Sequence, residues 1–190
     1  DGTVVTAKIQ NAAVTTAKIA DANITTGKLA SSLDLSGKTV TYGLTDSDMP
    51  SGSVLQVIHN GTTTGVTNNS QNYVNTNLQA GITPIFTSSK ILIIISQNIH
   101  KGVSGQTDQM QLNITRGGAQ IVEWTQEVLH DDGGLSHFDI YASQTYLDSP
   151  SSTSALTYRT QFRRRLNSGA TMQVQYAGSR SSITLMEIAG

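Results

Sequence analysis

Residues 90–99 read Lys90-Ile91-Leu92-Ile93-Ile94-Ile95-Ser96-Gln97-Asn98-Ile99, and this stretch decides the fold class. Isoleucine dominates it. A branched Cβ packs well on an extended backbone and is crowded on a helix. The apolar run Ile91–Ile95 is far shorter than the roughly 20 residues that span a bilayer as a helix, so no membrane insertion is expected. Being apolar on both faces, the run reads as a central strand covered above and below.

On either side the chain keeps to a two-residue period. Val54, Gln56 and Ile58 face opposite to Leu55 and Val57; Met110, Leu112 and Ile114 alternate with Gln111, Asn113 and Thr115; Ile183, Leu185 and Glu187 alternate with Thr184, Met186 and Ile188. Strands are expected over 53–59, 72–78, 90–99, 109–116, 120–126, 138–146, 155–164, 171–176 and 182–188. Asn60-Gly61, Gly117-Gly118, Asp132-Gly133-Gly134 and Asn167-Ser168-Gly169 are turn signals between them. No segment carries a helical period. The expected fold is all-β: a jelly-roll-like antiparallel β-sandwich head over 53–190. A loop-rich linker over 44–52, holding Gly43 at its border and Asp46, Asp48, Pro50 and Gly52 within, precedes it.

The first forty-three residues follow a different rule. Ten-residue blocks align without gaps at 4–13, 14–23, 24–33 and, in decayed form, 34–43. Lysine recurs at Lys8, Lys18, Lys28 and Lys38. Large apolar residues recur at every fifth position: Val4, Ile9, Val14, Ile19, Ile24 and Leu29. A spacing of five gives no stripe on a helix and alternates faces on a strand. Each block is therefore expected to mix a short helical turn, capped by Thr15 or Thr25, with an extended piece. Chains wound around a common axis would bury those six residues and set the lysines in outward rings, which gives an intertwined homotrimeric shaft. A flexible linker and a single-chain solenoid are the alternatives. The abrupt start of the repeat suggests the C-terminal part of a longer protein, and the final strand suggests that protein's true C-terminus. The first residues have neither the basic nor the apolar region of a secretory signal.

Composition narrows the function. The chain has 190 residues, a formal net charge of -1, 13% charged residues and no cysteine. Globular proteins usually carry about 25% charged residues. Disulfide frameworks, zinc ribbons and thiol nucleophiles are excluded. A near-neutral chain with few aromatic residues is a poor nucleic-acid binder.

Several segments carry a family resemblance. Leu147-Asp148-Ser149-Pro150 followed by Ala155-Leu156-Thr157-Tyr158 resembles the C-terminal region of bacteriophage tail fibres and other virion structural proteins. So do the ending Ser181-Ser182-Ile183-Thr184-Leu185-Met186-Glu187-Ile188-Ala189 and the pair Ile82-Thr83-Pro84 and Ser88-Ser89-Lys90-Ile91-Leu92. The decapeptides resemble the shafts of the same proteins, especially in phages of marine and photosynthetic bacteria. The resemblance implies a homotrimeric tail-fibre tip on the virion, extracellular when acting and joined to other tail proteins. It would bind a host cell-surface receptor, a glycan or a protein, through many weak sites at once. A purely structural virion protein, a decoration or connector piece, is the alternative. An enzyme modifying surface polysaccharide is the second alternative.

Residues 98–137 match none of that pattern, and fibre tips vary where they meet the host. The receptor-binding candidates are therefore Lys101, Asp108, Trp124, Glu127, His130, Asp131, Asp132 and His137. An exposed tryptophan beside carboxylates is a usual sugar-binding surface; packing of Trp124 in the head core is the alternative. His130, Asp131, Asp132 and His137 match no metal-ligand spacing, so neither a metal nor any other cofactor is expected. Glu123 and Glu127 would stand about 13 Å apart on a regular strand, beyond the usual separation of hydrolytic carboxylates. No Gly-x-Ser-x-Gly elbow occurs, and no catalytic residue is assigned. Arg159, Arg163, Arg164 and Arg165 form the basic cluster. It reads as an exposed strand end or inter-subunit ion pairs, or as contacts to the anionic groups of a surface polysaccharide. The Asn-x-Ser/Thr triplets are chance matches in a chain this rich in those residues.

Overall fold

A computed structural model describes residues 45, 48–102, 107–132, 138–166 and 169–190; over 125–129 and 131–132 it describes the backbone. The expected shaft, with Val4, Ile9, Val14, Ile19, Ile24, Leu29 and the homotrimer they would form, lies outside the described residues.

The described chain is built of β-strands: β1 Val54–Thr62, β2 Val66–Asn68, β3 Val74–Ile82, β4 Lys90–Lys101, β5 Thr107–Arg116, β6 Ala119–Asp132, β7 Phe138–Asp148, β8 Leu156–Arg164, β9 Met172–Val174 and β10 Ser181–Ile188. The pairing is nested. β1 pairs with β10, β3 with β8, β4 with β7 and β5 with β6, all antiparallel. Strands β1 to β5 are thus zipped to strands β6 to β10 in reverse order, like one long hairpin. Rolling that hairpin gives a sheet ordered β1-β10-β4-β7 and a facing sheet ordered β3-β8-β5-β6. This is the jelly roll. Short β9 and β2 extend the first sheet beyond the end of β10, with Ile99 opposite Val174.

The core lies between the sheets. Ile91, Ile93, Ile95 and Ile99 of β4, with Ile183 and Leu185 of β10, meet Met110, Leu112 and Ile114 of β5, Tyr158 and Phe162 of β8, and Leu78 of β3. The expectation for Ile91–Ile95 needs a correction. β4 is central, but only laterally, between β10 and β7. Its outer face is not covered: Leu92 is half-buried and Ile94 is 39% exposed. Register sets Val57, Met186, Leu92 and Leu147 side by side across that face.

A polar belt crosses the core. Gln97 Oε1 accepts from Thr160 Oγ1 at 2.9 Å, and its Nε2 donates to Ser181 Oγ at 3.0 Å. Thr160 in turn is hydrogen-bonded to Thr76. The Gln175 amide completes the belt when its nitrogen faces the Thr76 and Thr64 carbonyls, at 3.0 and 3.2 Å. Gln175 holds a left-handed backbone (φ 51°). A buried polar network of this kind has to be satisfied as a unit, so it ties the sheets in one register.

Several expected bounds change. Three-residue β2 is too short to show alternation in the sequence. The expected Asn60-Gly61 turn lies inside β1, and the strand expected over 72–78 is β3 over Val74–Ile82. β6 runs to Asp132, beyond 126, because Thr107 opposite Asp132 continues its ladder with β5 through several register shifts.

Candidate functional site

The outer face of the β3-β8-β5-β6 sheet is built almost wholly from long polar side chains. On β8 alternation turns Tyr158, Thr160, Phe162 and Arg164 inward, and Arg159, Gln161 and Arg163 outward. On β5 the outward residues are Gln109, Gln111, Asn113 and Thr115. Antiparallel register aligns them in rows. One row places Gln79, Arg159 and Thr115 side by side. In the next, Gln161 Nε2 donates to Asn75 Oδ1 at 3.0 Å and Asn113 Nδ2 to Gln120 Oε1 at 2.9 Å. In the third, Arg163 Nε donates to Gln111 Oε1 at 2.6 Å, and the Gln111 amide donates to Glu123. Tyr73 Oη donates to the same carboxylate at 3.3 Å, and the Arg163 guanidinium lies 4.7 Å over the Tyr73 ring. In the last, Arg165 Nη1 donates to Gln109 Oε1 at 2.9 Å, and Gln109 Nε2 lies 2.8 Å from His130 Nδ1.

Neighbouring strands stand about 4.8 Å apart, so each side chain reaches the next across the sheet. The long outer chains cover the shorter ones: Gln111 and Asn113 are buried although they face outward. Burial pushes the Tyr73 hydroxyl above its ordinary range, with the Arg163 cation opposing. The result is a flat lattice of amides and guanidinium groups, its rotamers set by mutual hydrogen bonds. Amides and carboxylates suit sugar hydroxyls, and guanidinium groups suit carboxylates and phosphates.

Most of the sequence-stretch candidates lie elsewhere. Trp124 is only 7% exposed. Its Nε1 donates to the Ser143 carbonyl of β7 at 3.2 Å, so it ties the edge of one sheet to the edge of the other. Trp124 therefore packs in the core and offers no open ring. Lys101 and Asp108 are also buried. Asp108 accepts from the Gln109 and Leu166 amides at 2.7 and 3.1 Å and lies 3.5 Å from Arg164 Nε. Register sets Asp131 opposite Asp108, His130 opposite Gln109, and Lys101 opposite Phe138. These positions thus gather at one end of the sandwich, around the β4–β5 and β6–β7 connections. His130 is exposed and belongs to the last row of the lattice. Glu127, Asp131 and Asp132 lie on the β6 backbone, and their side chains, like all of His137, are outside the described residues. Among the described residues no cluster of three or more acidic and histidine side chains could hold a metal. No helix among them is long and apolar enough to cross a membrane.

The basic cluster is divided by alternation. Arg159 and Arg163 face out, while Arg164 faces in, its Nη1 donating to the Ala170 carbonyl at 3.1 Å. Tyr73, Asn75, Gln79, Gln111, Asn113, Gln120 and Gln161 were not candidates. The signal was present in the sequence: polar residues at every second position of two strands, Gln109 to Thr115 and Arg159 to Arg163. What it lacked was the knowledge that these strands are neighbours.

An open apolar pocket lined by Met49, Val54, Leu55, Ile85 and Phe86 lies at the start of β1. It has no titratable side chain in its lining.

No protein-family model matches this chain, and no curated protein matches it. Among solved structures it is similar to the infectious bursal disease virus VP2 subviral particle (14% identity, TM-score 0.38), over 85% of this chain and 46% of that one. It is also similar to the T13 infectious bursal disease viral particle (13%, TM-score 0.40), over 85% and 43%. Dimeric latent PorU from Porphyromonas gingivalis is more distant (6%, TM-score 0.26), over 74% and 14%. The chain spans less than half the length of each of these. At these scores the likenesses carry no argument about function.

Proposed function

We propose that this chain is the tip of a virion tail fibre, acting as a homotrimer, and that it attaches to the host by binding a surface glycan on the outer face of the β3-β8-β5-β6 sheet. The observation that carries the reading is the lattice itself. Its rows of amides, with Arg163 and Glu123 among them, are held in place before any ligand arrives, which lowers the ordering cost of binding. A face of this kind has the groups for hydroxyl recognition. The jelly roll accords with it, being a fold of capsid and lectin domains, although the fold alone does not assign the function. The decapeptide repeat and the terminal segments supply the fibre part of the reading. Copies arrayed on one particle would turn weak single sites into firm attachment.

In this reading Glu123, which accepts from Gln111 and Tyr73, is part of the binding lattice. A purely structural virion role is favoured by a different observation, the exposed apolar row Val57, Met186, Leu92 and Leu147 on the opposite sheet, which suits packing against a neighbour.

The test is retention of the chain on a panel of immobilised bacterial envelope polysaccharides. Retention is expected, with a loss of roughly tenfold in Gln161→Ala, whose amide sits at the centre of the lattice. Circular dichroism would confirm that this variant is folded. Retention unchanged in both Gln161→Ala and Asn75→Ala would move the site elsewhere. No retention on any polysaccharide would remove the receptor reading and leave the structural one.

A further inference from the structure

The chemical class of the ligand follows from where the charges stand on this lattice, and the inference rests on the glycan reading above. Along the outer side of β8 the order is Arg159, Gln161, Arg163: cation, amide, cation at every second residue. The charged side chains described on this face are Arg159, Arg163 and Arg165 against Glu123. The whole chain has a formal net charge of -1, whereas the described side chains of this face carry three arginines against one carboxylate.

The two β8 arginines differ in how they are held. Arg163 is fixed by Gln111 and by the Tyr73 ring. Among the described residues nothing hydrogen-bonds to or ion-pairs with the Arg159 guanidinium, which stands half-exposed between Gln79 and Thr115. A guanidinium group with donors to spare is suited to a carboxylate or a phosphate taken in bidentate fashion. Four residues of strand separate the arginines by about 13 Å. One monosaccharide carrying one acid group does not bridge that distance, whereas a chain with repeated acid groups does. Gln161 and Asn75 fill the interval with accessible amides, which match neutral hydroxyls between the charged points.

We propose that this face binds an acidic polysaccharide lying along β8, with anionic groups on Arg159 and Arg163 and hydroxyls on the Gln161 and Asn75 amides between them.

The test uses the full 190-residue chain on immobilised polygalacturonate, with neutral dextran and oligothymidylate alongside. Retention on polygalacturonate is expected, at least tenfold stronger than on either control. It should weaken as salt is raised from about 0.05 M to about 0.5 M, where exposed charges are screened. Arg159→Gln should lower it roughly tenfold, the loss of one charge-assisted pair, with an unchanged unfolding midpoint. Equal retention on dextran and polygalacturonate would overturn the acidic class while leaving the glycan reading intact. No retention on polygalacturonate would overturn the proposal, and it differs from failure on every polysaccharide of the wider panel, which removes the glycan reading too. Equal retention on oligothymidylate would show generic phosphate or nucleic-acid binding and would also overturn it. Full retention in both Arg159→Gln and Arg163→Gln would show that the site is not on β8.

Discussion

Asp148 ends β7 and accepts from two side chains at once. Arg116 Nη1 donates to its Oδ2 at 2.6 Å and Tyr158 Oη donates to the same oxygen at 2.7 Å. The carboxylate is nearly buried, so these donors offset its loss of water. Burial, followed by the Asp148 carboxylate, pushes the Tyr158 hydroxyl well above the ordinary tyrosine range. The hydrogen bond to Asp148 likewise raises Arg116. A raised folded-state pKa has a definite sign. The folded protein keeps a proton that unfolded tyrosine releases at about pH 10, so this stability is complete below that pH and declines above it. Urea midpoints measured between about pH 9 and about pH 11 should therefore fall more steeply for wild type than for Tyr158→Phe. Tyr73 is shifted in the same direction but is present in both proteins and cancels. Equal slopes would show that Tyr158 is not the group responsible.

At the scale of the element, β4 shows how facing decides the weight of a residue. Ile93 is fully buried, while Ile94 is 39% exposed, although they are adjacent and identical. A lysine at Ile93 would put an unpaired charge between the sheets and should cost more than about 3 kcal/mol, enough to prevent folding of a marginal domain. A lysine at Ile94 should change stability by less than about 1 kcal/mol. Denaturant titration of the two variants checks this. Reversed losses would mean that β4 has slipped by one residue against β10 and β7, and equal losses that its outer face is covered in the assembled protein. The apolar run was legible as a strand because branched side chains and brevity are local facts. Its one-sided covering was not, because nothing in ten residues says what lies above them.

For the whole molecule, the nested pairing joins β1 to β10 across nearly the full length of the described chain. Such long-range pairing makes folding slow relative to local structure and leaves β7 and β6 as neighbouring edges, tied by Trp124. The homotrimer proposed for the fibre is a statement at this scale. Light scattering should give three times 20.2 kDa for the full chain. The same measurement without residues 1–43 then divides the work of assembly. A persisting trimer would assign it to the head, and a monomer to the repeat. A monomer for the full chain would remove the trimeric fibre.

Hydrophobic periodicity, turn residues and the absence of cysteine determined the β class, most strand positions and the exclusion of disulfides, thiol nucleophiles and zinc ribbons. Each of these depends on residues close together along the chain. The decapeptide spacing is equally local, and it lies outside the described residues. Only the tertiary structure decided which strands are neighbours, and the site depends on that. It sent Trp124 and Asp108 into the core, split Arg163 from Arg164 by facing, and brought Gln111 of β5 between Arg163 of β8 and Glu123 of β6. A two-residue period says that alternate side chains share a face. It does not say whether that face meets the opposite sheet or the solvent, because pairing and burial are set by contacts between distant segments.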